Sequence, residues 1–139
     1  MLGLPTQFAA GALRVLIADP KKAVAVSMAL LIRQWGHSAR AVFGSFEALE
    51  TAREYRPNVI LMDHTLGPVL TGSQVAQQFR QELGPKLAAL VGLAESTEGD
   101  RSNAAFDFWL DRPIDPQALE QLLSETTVRR GQRRENTLF

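Results

Sequence analysis

Short apolar runs alternate along this chain with stretches in which hydrophobic residues return every three or four positions. The first run, Arg14-Val15-Leu16-Ile17-Ala18, has strand length and stops at Asp19-Pro20. From Lys21 the period becomes helical: Val24, Met28, Leu31 and Trp35 fall on one face of a helix that Gly36 closes. Ala39–Phe43 is a second, less apolar strand, suited to an edge. Ser45 is the expected N-cap of a helix through Phe46, Leu49 and Ala52, ended by Arg56-Pro57. Asn58–Met62 is unbroken in its hydrophobicity, as a strand covered on both faces must be. Ser73–Leu83 follows with Val75, Phe79 and Leu83 at helical spacing and Gly84-Pro85 as the stop. Leu87–Leu93 holds a fourth strand. A polar segment, Glu95–Asn103, leads to a short helix expected near Ala104-Ala105, and Phe108-Trp109-Leu110 makes a brief fifth strand. Asp115-Pro116 sets an N-cap and a first-turn proline for a last helix carrying Leu119, Leu122 and Leu123.

Strand and helix thus alternate five times with short joins, the signature of right-handed crossovers building one open, doubly wound parallel α/β sheet. Residues 14–125 are expected to form the domain. Residues 1–13 would be an N-terminal extension, and 126–139, with four arginines and little to bury, a basic, flexible tail.

Composition narrows the chemistry by exclusion. At 139 residues and 45% hydrophobic content the chain can bury a core without staples. Fifteen basic and fifteen acidic residues cancel, so total charge predicts neither nucleic acid nor an anionic membrane as partner. The absence of cysteine excludes disulfides and thiolate metal sites, and His37 and His64 make no zinc signature. No run reaches the length of a membrane span and the start lacks a signal-peptide pattern, so a cytoplasmic protein is expected.

In an open parallel sheet, ligands bind outside the carboxyl ends of the strands. Strand one delivers Asp19 there, strand three Asp63, strand four Ala94 with Glu95 and Ser96 behind it, and strand five Arg112. Each alone could be a solvated loop charge, and Asp63–Arg112 a plain ion pair fixing two loops. Two acids and a base from three strands can instead gather a divalent cation and an anion at one mouth.

These residues resemble the receiver domain of two-component response regulators. "VLIAD" looks like its first strand with acidic end, and "WGHSARAVFGSFEALETAREYRPNVILMD" is similar to its second strand, second helix and third strand. "AAFDFWLDRPIDPQALEQLL" resembles its fifth strand, lysine–proline turn and last helix; the likeness runs from about Arg14 to Leu123. The resemblance implies the flavodoxin-like strand order 2-1-3-4-5. It implies that Asp63 accepts a phosphoryl group from a histidine kinase or phosphotransfer protein. It further implies that Mg²⁺ is held by Asp19, Asp63 and the backbone carbonyl of Thr65, and that Arg112 contacts the phosphate. Ala94 and Trp109 fall on the switch region. No separate organic cofactor is implied.

The sequence departs from the family in four ways. Pro20 stands where a second acid usually binds metal, which should weaken Mg²⁺. Ala94 lacks the switch hydroxyl. Arg112 replaces lysine, keeping the charge but with a broader head. The segment from Ala94 to Arg112 is short, so the fourth of the family's five helices is expected to be reduced. Together these imply a stand-alone atypical receiver, with an impaired or lost phosphorylation switch, that regulates a protein partner. The alternative is a normally phosphorylated, Mg²⁺-dependent single-domain regulator. A small enzyme on the same fold is the third reading, disfavoured because no GxGxxG, GxxxxGK[ST] or GxSxG motif is present. No specific nucleic-acid contact and no membrane insertion are expected, while a homodimer is allowed.

Overall fold

The computed structural model describes residues 11–67, 69–84, 88–95, 101 and 105–137. Five parallel strands, β1 (Arg14–Ala18), β2 (Ser38–Val42), β3 (Val59–Asp63), β4 (Ala89–Glu95) and β5 (Phe108–Arg112), lie in the order β2-β1-β3-β4-β5. Four helices connect or follow them: α1 (Lys22–Gln34), α2 (Ser45–Tyr55), α3 (Gly72–Leu83) and α4 (Pro116–Thr137). The expected α/β sheet and its strand order are therefore present.

Strand alternation sorts the core into two layers. Leu16, Ile60, Met62 and Leu90 face α2 and α3, where Leu49, Ala52, Val75 and Phe79 meet them. Val15, Ile17, Val59, Leu61, Val91 and Leu93 point to the other face and pack against α1 and α4 through Met28, Ile32, Leu119 and Leu123. All five residues of β3 are buried, as its unbroken apolar run demands. The edge strands β2 and β5 are more open.

Several local expectations need correction. The buried face of α1 is Ala25, Met28, Ala29 and Ile32; of the expected stripe Met28 is buried, and Val24 and Trp35 are partly buried against the same core. The two alanines let the helix lie close on the sheet, and the larger residues become its shoulders. The N-cap of α2 is Gly44, not Ser45; Ser45 is the first helical residue and spends its hydroxyl on the Leu70 carbonyl, 2.8 Å away. The helix α4 runs from Pro116 through Thr137. Thr126 is buried, and the Thr127 hydroxyl lies 3.1 Å from the Gly11 carbonyl, so this part of the chain is tied to the domain. The short helix expected near Ala104-Ala105 falls largely outside the described residues; Ala105 itself sits in a turn. No helix among the described residues is long and apolar enough to cross a membrane.

Other sequence signals are matched. Gly36 and Gly84 take positive φ just past α1 and α3, and Arg56 adopts the left-handed C-cap of α2. The Asp115 carboxylate accepts from the Gln117 N–H at the start of α4.

Candidate functional site

The register of the sheet brings the charged residues together. Ala18 pairs with Met62 and Asp63 with Leu93, so Asp19 and Asp63 emerge side by side from adjacent strands at the carboxyl edge. Glu95 pairs with Arg112 on the far side. From β5 the Arg112 side chain reaches back past β4 to both acids.

A single nitrogen makes both contacts. Arg112 Nη2 lies 2.5 Å from Asp19 Oδ2 and 2.7 Å from Asp63 Oδ2. Its side chain is only 9% exposed, and Asp19 is fully buried. Arg112 Nε is buried without a hydrogen-bond partner among the described residues. A buried charge needs compensation, and here one cation serves two anions.

The other carboxylate oxygens are also occupied. Asp19 Oδ1 accepts from the Lys21 N–H at 3.0 Å, an arrangement that carries the chain across Pro20 into α1. Asp63 Oδ1 accepts three donors: the Thr65 hydroxyl, the Thr65 N–H at 2.9 Å and the Leu66 N–H at 3.2 Å. Leu66 reaches this position with φ at +38°, a conformation non-glycine residues seldom adopt. Burial, the strongest single influence on Asp63, raises its proton affinity. The Thr65 hydrogen bonds and the Arg112 contact and charge together outweigh it, and the carboxyl sits below its ordinary value.

Thr65 therefore serves Asp63 as a double donor, a role its sequence position does not reveal. Its carbonyl, the expected metal ligand, accepts the Gly67 N–H at 2.6 Å. Among the described residues no cluster of three or more His, Cys, Asp or Glu side chains is assembled for a metal. All four oxygens of the acid pair face donors, and Nη2 stands between the two carboxylates. A hard cation with oxygen ligands at about 2.0–2.1 Å would collide with that nitrogen. As arranged, the donor set suits a guanidinium and not Mg²⁺.

The loop beneath the acids is pinned from below. The His64 N–H donates to the Leu93 carbonyl at 3.1 Å and the Gly72 N–H to the His64 carbonyl at 2.9 Å. A Thr71–Gln74 capping box then starts α3. Ala94 is buried at the end of β4, with no hydroxyl to offer. Beside it lies a residue that sequence reasoning missed. Arg101 Nη2 is 3.3 and 3.1 Å from the Ala94 and Glu95 carbonyls, pairs with Asp111 at 2.6 Å and lies over the Trp109 ring. A lone arginine within a polar connector carried no signal of its own. The peptide between Arg112 and Pro113 is cis.

A groove of about 490 Å³ has Arg112 in its wall, with Lys21, Val24, Met28, Glu95 and Ile114 among its other lining residues. It runs between the start of α1 and the turn after β5, so Arg112 separates it from the acid pair.

No family model matches the chain. Over 115 residues it is 30% identical to the response regulator MprA of Mycobacterium avium, covering 81% of this chain and 48% of that protein. The chain thus spans about half the length of the curated relatives it matches. It superimposes with a TM-score of 0.73 and 25% identity on a CheY-like response-regulator receiver domain from Methylobacillus flagellatus, covering 83% of this chain and 98% of that one. The receiver domain of the sensor histidine kinase PA1611 from Pseudomonas aeruginosa has the same fold, at TM-score 0.74 and 24% identity over 84% of this chain and 98% of its own. That structure has magnesium coordinated in its active-site cleft. The five-stranded order, the acids at the carboxyl edge and these likenesses agree: the chain is a response-regulator receiver domain.

Proposed function

We propose that this chain is an atypical receiver in two-component signalling, with Asp63 at the phosphoacceptor position and a phosphorylation switch that is impaired. The observation that carries this reading is the buried Asp19–Arg112–Asp63 bridge. Phosphoryl transfer to a carboxylate requires an accessible carboxylate oxygen and a cation free to meet the developing charge. Asp63 directs both oxygens at donors, and Arg112 is committed to the acids before any phosphate arrives. Ala94 adds a second deficit, because a hydroxyl that could follow a new phosphoryl group is absent from that position. The neighbouring Arg101 engages only the backbone carbonyl of Ala94, 3.3 Å away.

On this reading the chain acts by binding a downstream protein, and a histidine kinase or phosphotransfer protein is the partner for Asp63. It turns over no substrate and works in the cytoplasm. Magnesium, held by the similar PA1611 receiver, reaches Asp19 and Asp63 here only against Arg112.

The test is incubation with acetyl phosphate, with and without Mg²⁺, followed by intact mass. Slow, incomplete addition of about 80 Da, or none, is expected, and Asp63→Asn abolishes any addition. Rapid stoichiometric labelling that needs Mg²⁺ would favour the second reading, a normally switching receiver, which the retained Asp19 and Asp63 and the positive charge kept at Arg112 support.

A further inference from the structure

We infer that Arg112 is a built-in counterion that holds the acid cleft in place of a divalent cation, so that metal and guanidinium exclude each other there. The inference rests on the receiver reading for the identity of the cleft, but its basis is geometric.

An arginine paired with carboxylates ordinarily uses its fork, two parallel N–H donors to two oxygens of one acid. Arg112 does not. Nη2 alone stands between Oδ2 of Asp19 and Oδ2 of Asp63, while Nε is left buried and unpartnered among the described residues. The guanidinium is therefore placed by the pull of two anions on one atom, the way a point cation is placed.

The charge balance explains why it stays. Two carboxylates and one guanidinium leave one net negative charge in a site largely shielded from water. Withdrawing Arg112 leaves two uncompensated negative charges on neighbouring strands, a state that demands a replacement cation. The groove beside the cleft has room for a withdrawn side chain. Glu95, opposite Arg112 in the β4–β5 register and on the groove wall, offers it another carboxylate. Pro20 removes one ligand from the cleft, but Arg112 removes the space.

The experiment is calorimetric titration of the metal-free 139-residue chain with magnesium chloride, without phosphodonor, on wild type, Arg112→Ala and Arg112→Gln. Thermal melting of each in chelator and in excess Mg²⁺ accompanies it. Both variants are expected to bind Mg²⁺ about tenfold or more tighter than wild type, a difference of about 1.4 kcal/mol or more. Their melting temperatures rise with Mg²⁺ while that of wild type stays put. If Arg112→Ala fails to fold, Arg112→Gln, which keeps an N–H donor for one acid, decides the matter. Equal affinity in wild type and variants overturns the inference, and so does an absence of binding in all three, since something other than Arg112 then excludes the metal. With no phosphoryl group in the assay, the result is independent of whether Asp63 is an acceptor.

Discussion

Gly92 lies directly beneath the indole of Trp109: a Cβ built on Gly92 would fall 2.4 Å from ring carbons Cε3 and Cζ3. The two residues pair across β4 and β5, and the missing side chain lets the ring settle on the sheet. There it packs against Phe106, with ring centroids 4.7 Å apart, and under the Arg101 guanidinium. Gly92→Ala therefore has to lift a large, rigid ring. We expect a loss of about 1–3 kcal/mol in denaturant unfolding and a red shift of Trp109 emission, read in a Trp35→Phe background. Unchanged emission would mean the ring is not held there.

Gly72 is constrained from the other side of the site. A Cβ at Gly72 would lie 2.1 Å from the Asp63 carbonyl oxygen and 2.9 Å from His64 backbone atoms. Backbone cannot step aside as a side chain can, so Gly72→Ala must shift either the start of α3 or the strand end that bears Asp63. We expect a loss of about 3 kcal/mol and a changed environment for Arg112. A circular-dichroism melt within a degree or so of wild type would contradict the close approach.

These two glycines show where the sequence was readable and where it was not. The strands were legible because a buried parallel strand must be apolar throughout, and Val59–Met62 and Val15–Ala18 are. The meeting of Asp19, Asp63 and Arg112 followed from the rule that strand ends share one edge. What a rule about strand ends cannot supply is which atom touches which. That Nη2 serves both acids, and that Thr65 turns its hydroxyl and N–H toward Asp63, depend on loop conformation, including the positive φ of Leu66. Gly92 carries no signal of its own within the Leu87–Leu93 run, because its partner, Trp109, is remote in sequence. The extension of α4 past Thr126 was hidden for another reason: its polar composition reads as disorder, while buried Thr126 and the Thr127–Gly11 contact hold the helix to the domain.

Two titrations should appear separately in the acid branch of stability. Burial lowers the pKa of His37 below 6.5, and its Nδ1 accepts the Leu13 N–H at 3.0 Å, a bond the protonated ring cannot accept. The folded state therefore prefers neutral His37: its contribution is complete above pH 6.5 and is lost as pH falls from there through the lowered value. Asp63 is also depressed, from 3.8. Its contribution is present above the ordinary carboxylate value and disappears only at still lower pH. Unfolding free energy measured against pH should show two descending steps. His37→Gln should remove the upper step alone, and Asp63→Asn should reduce the lower one, to which Glu82, held down to about 2 by its hydrogen bonds from Arg53 and Gln78, also contributes. A single step untouched by either substitution would refute this assignment.

Thr65→Val separates the donors of Asp63 from its cation. Valine keeps the backbone N–H of position 65, which lies 2.9 Å from Oδ1, and leaves Arg112 in place, removing only the hydroxyl. If the depressed proton affinity of Asp63 depended on Arg112 alone, the substitution would not move it. The hydroxyl, however, is the largest of the influences that favour the ionised carboxylate. We expect the Asp63 carboxyl resonance to titrate at higher pH in Thr65→Val. Stability should drop by about 1 kcal/mol at neutral pH, where the carboxylate has lost a donor. That drop should shrink as the pH falls and the carboxyl protonates, because a protonated carboxyl accepts more weakly. An unchanged titration midpoint would assign the depression to Arg112 and the backbone, leaving Thr65 as a turn residue without electrostatic effect on the site.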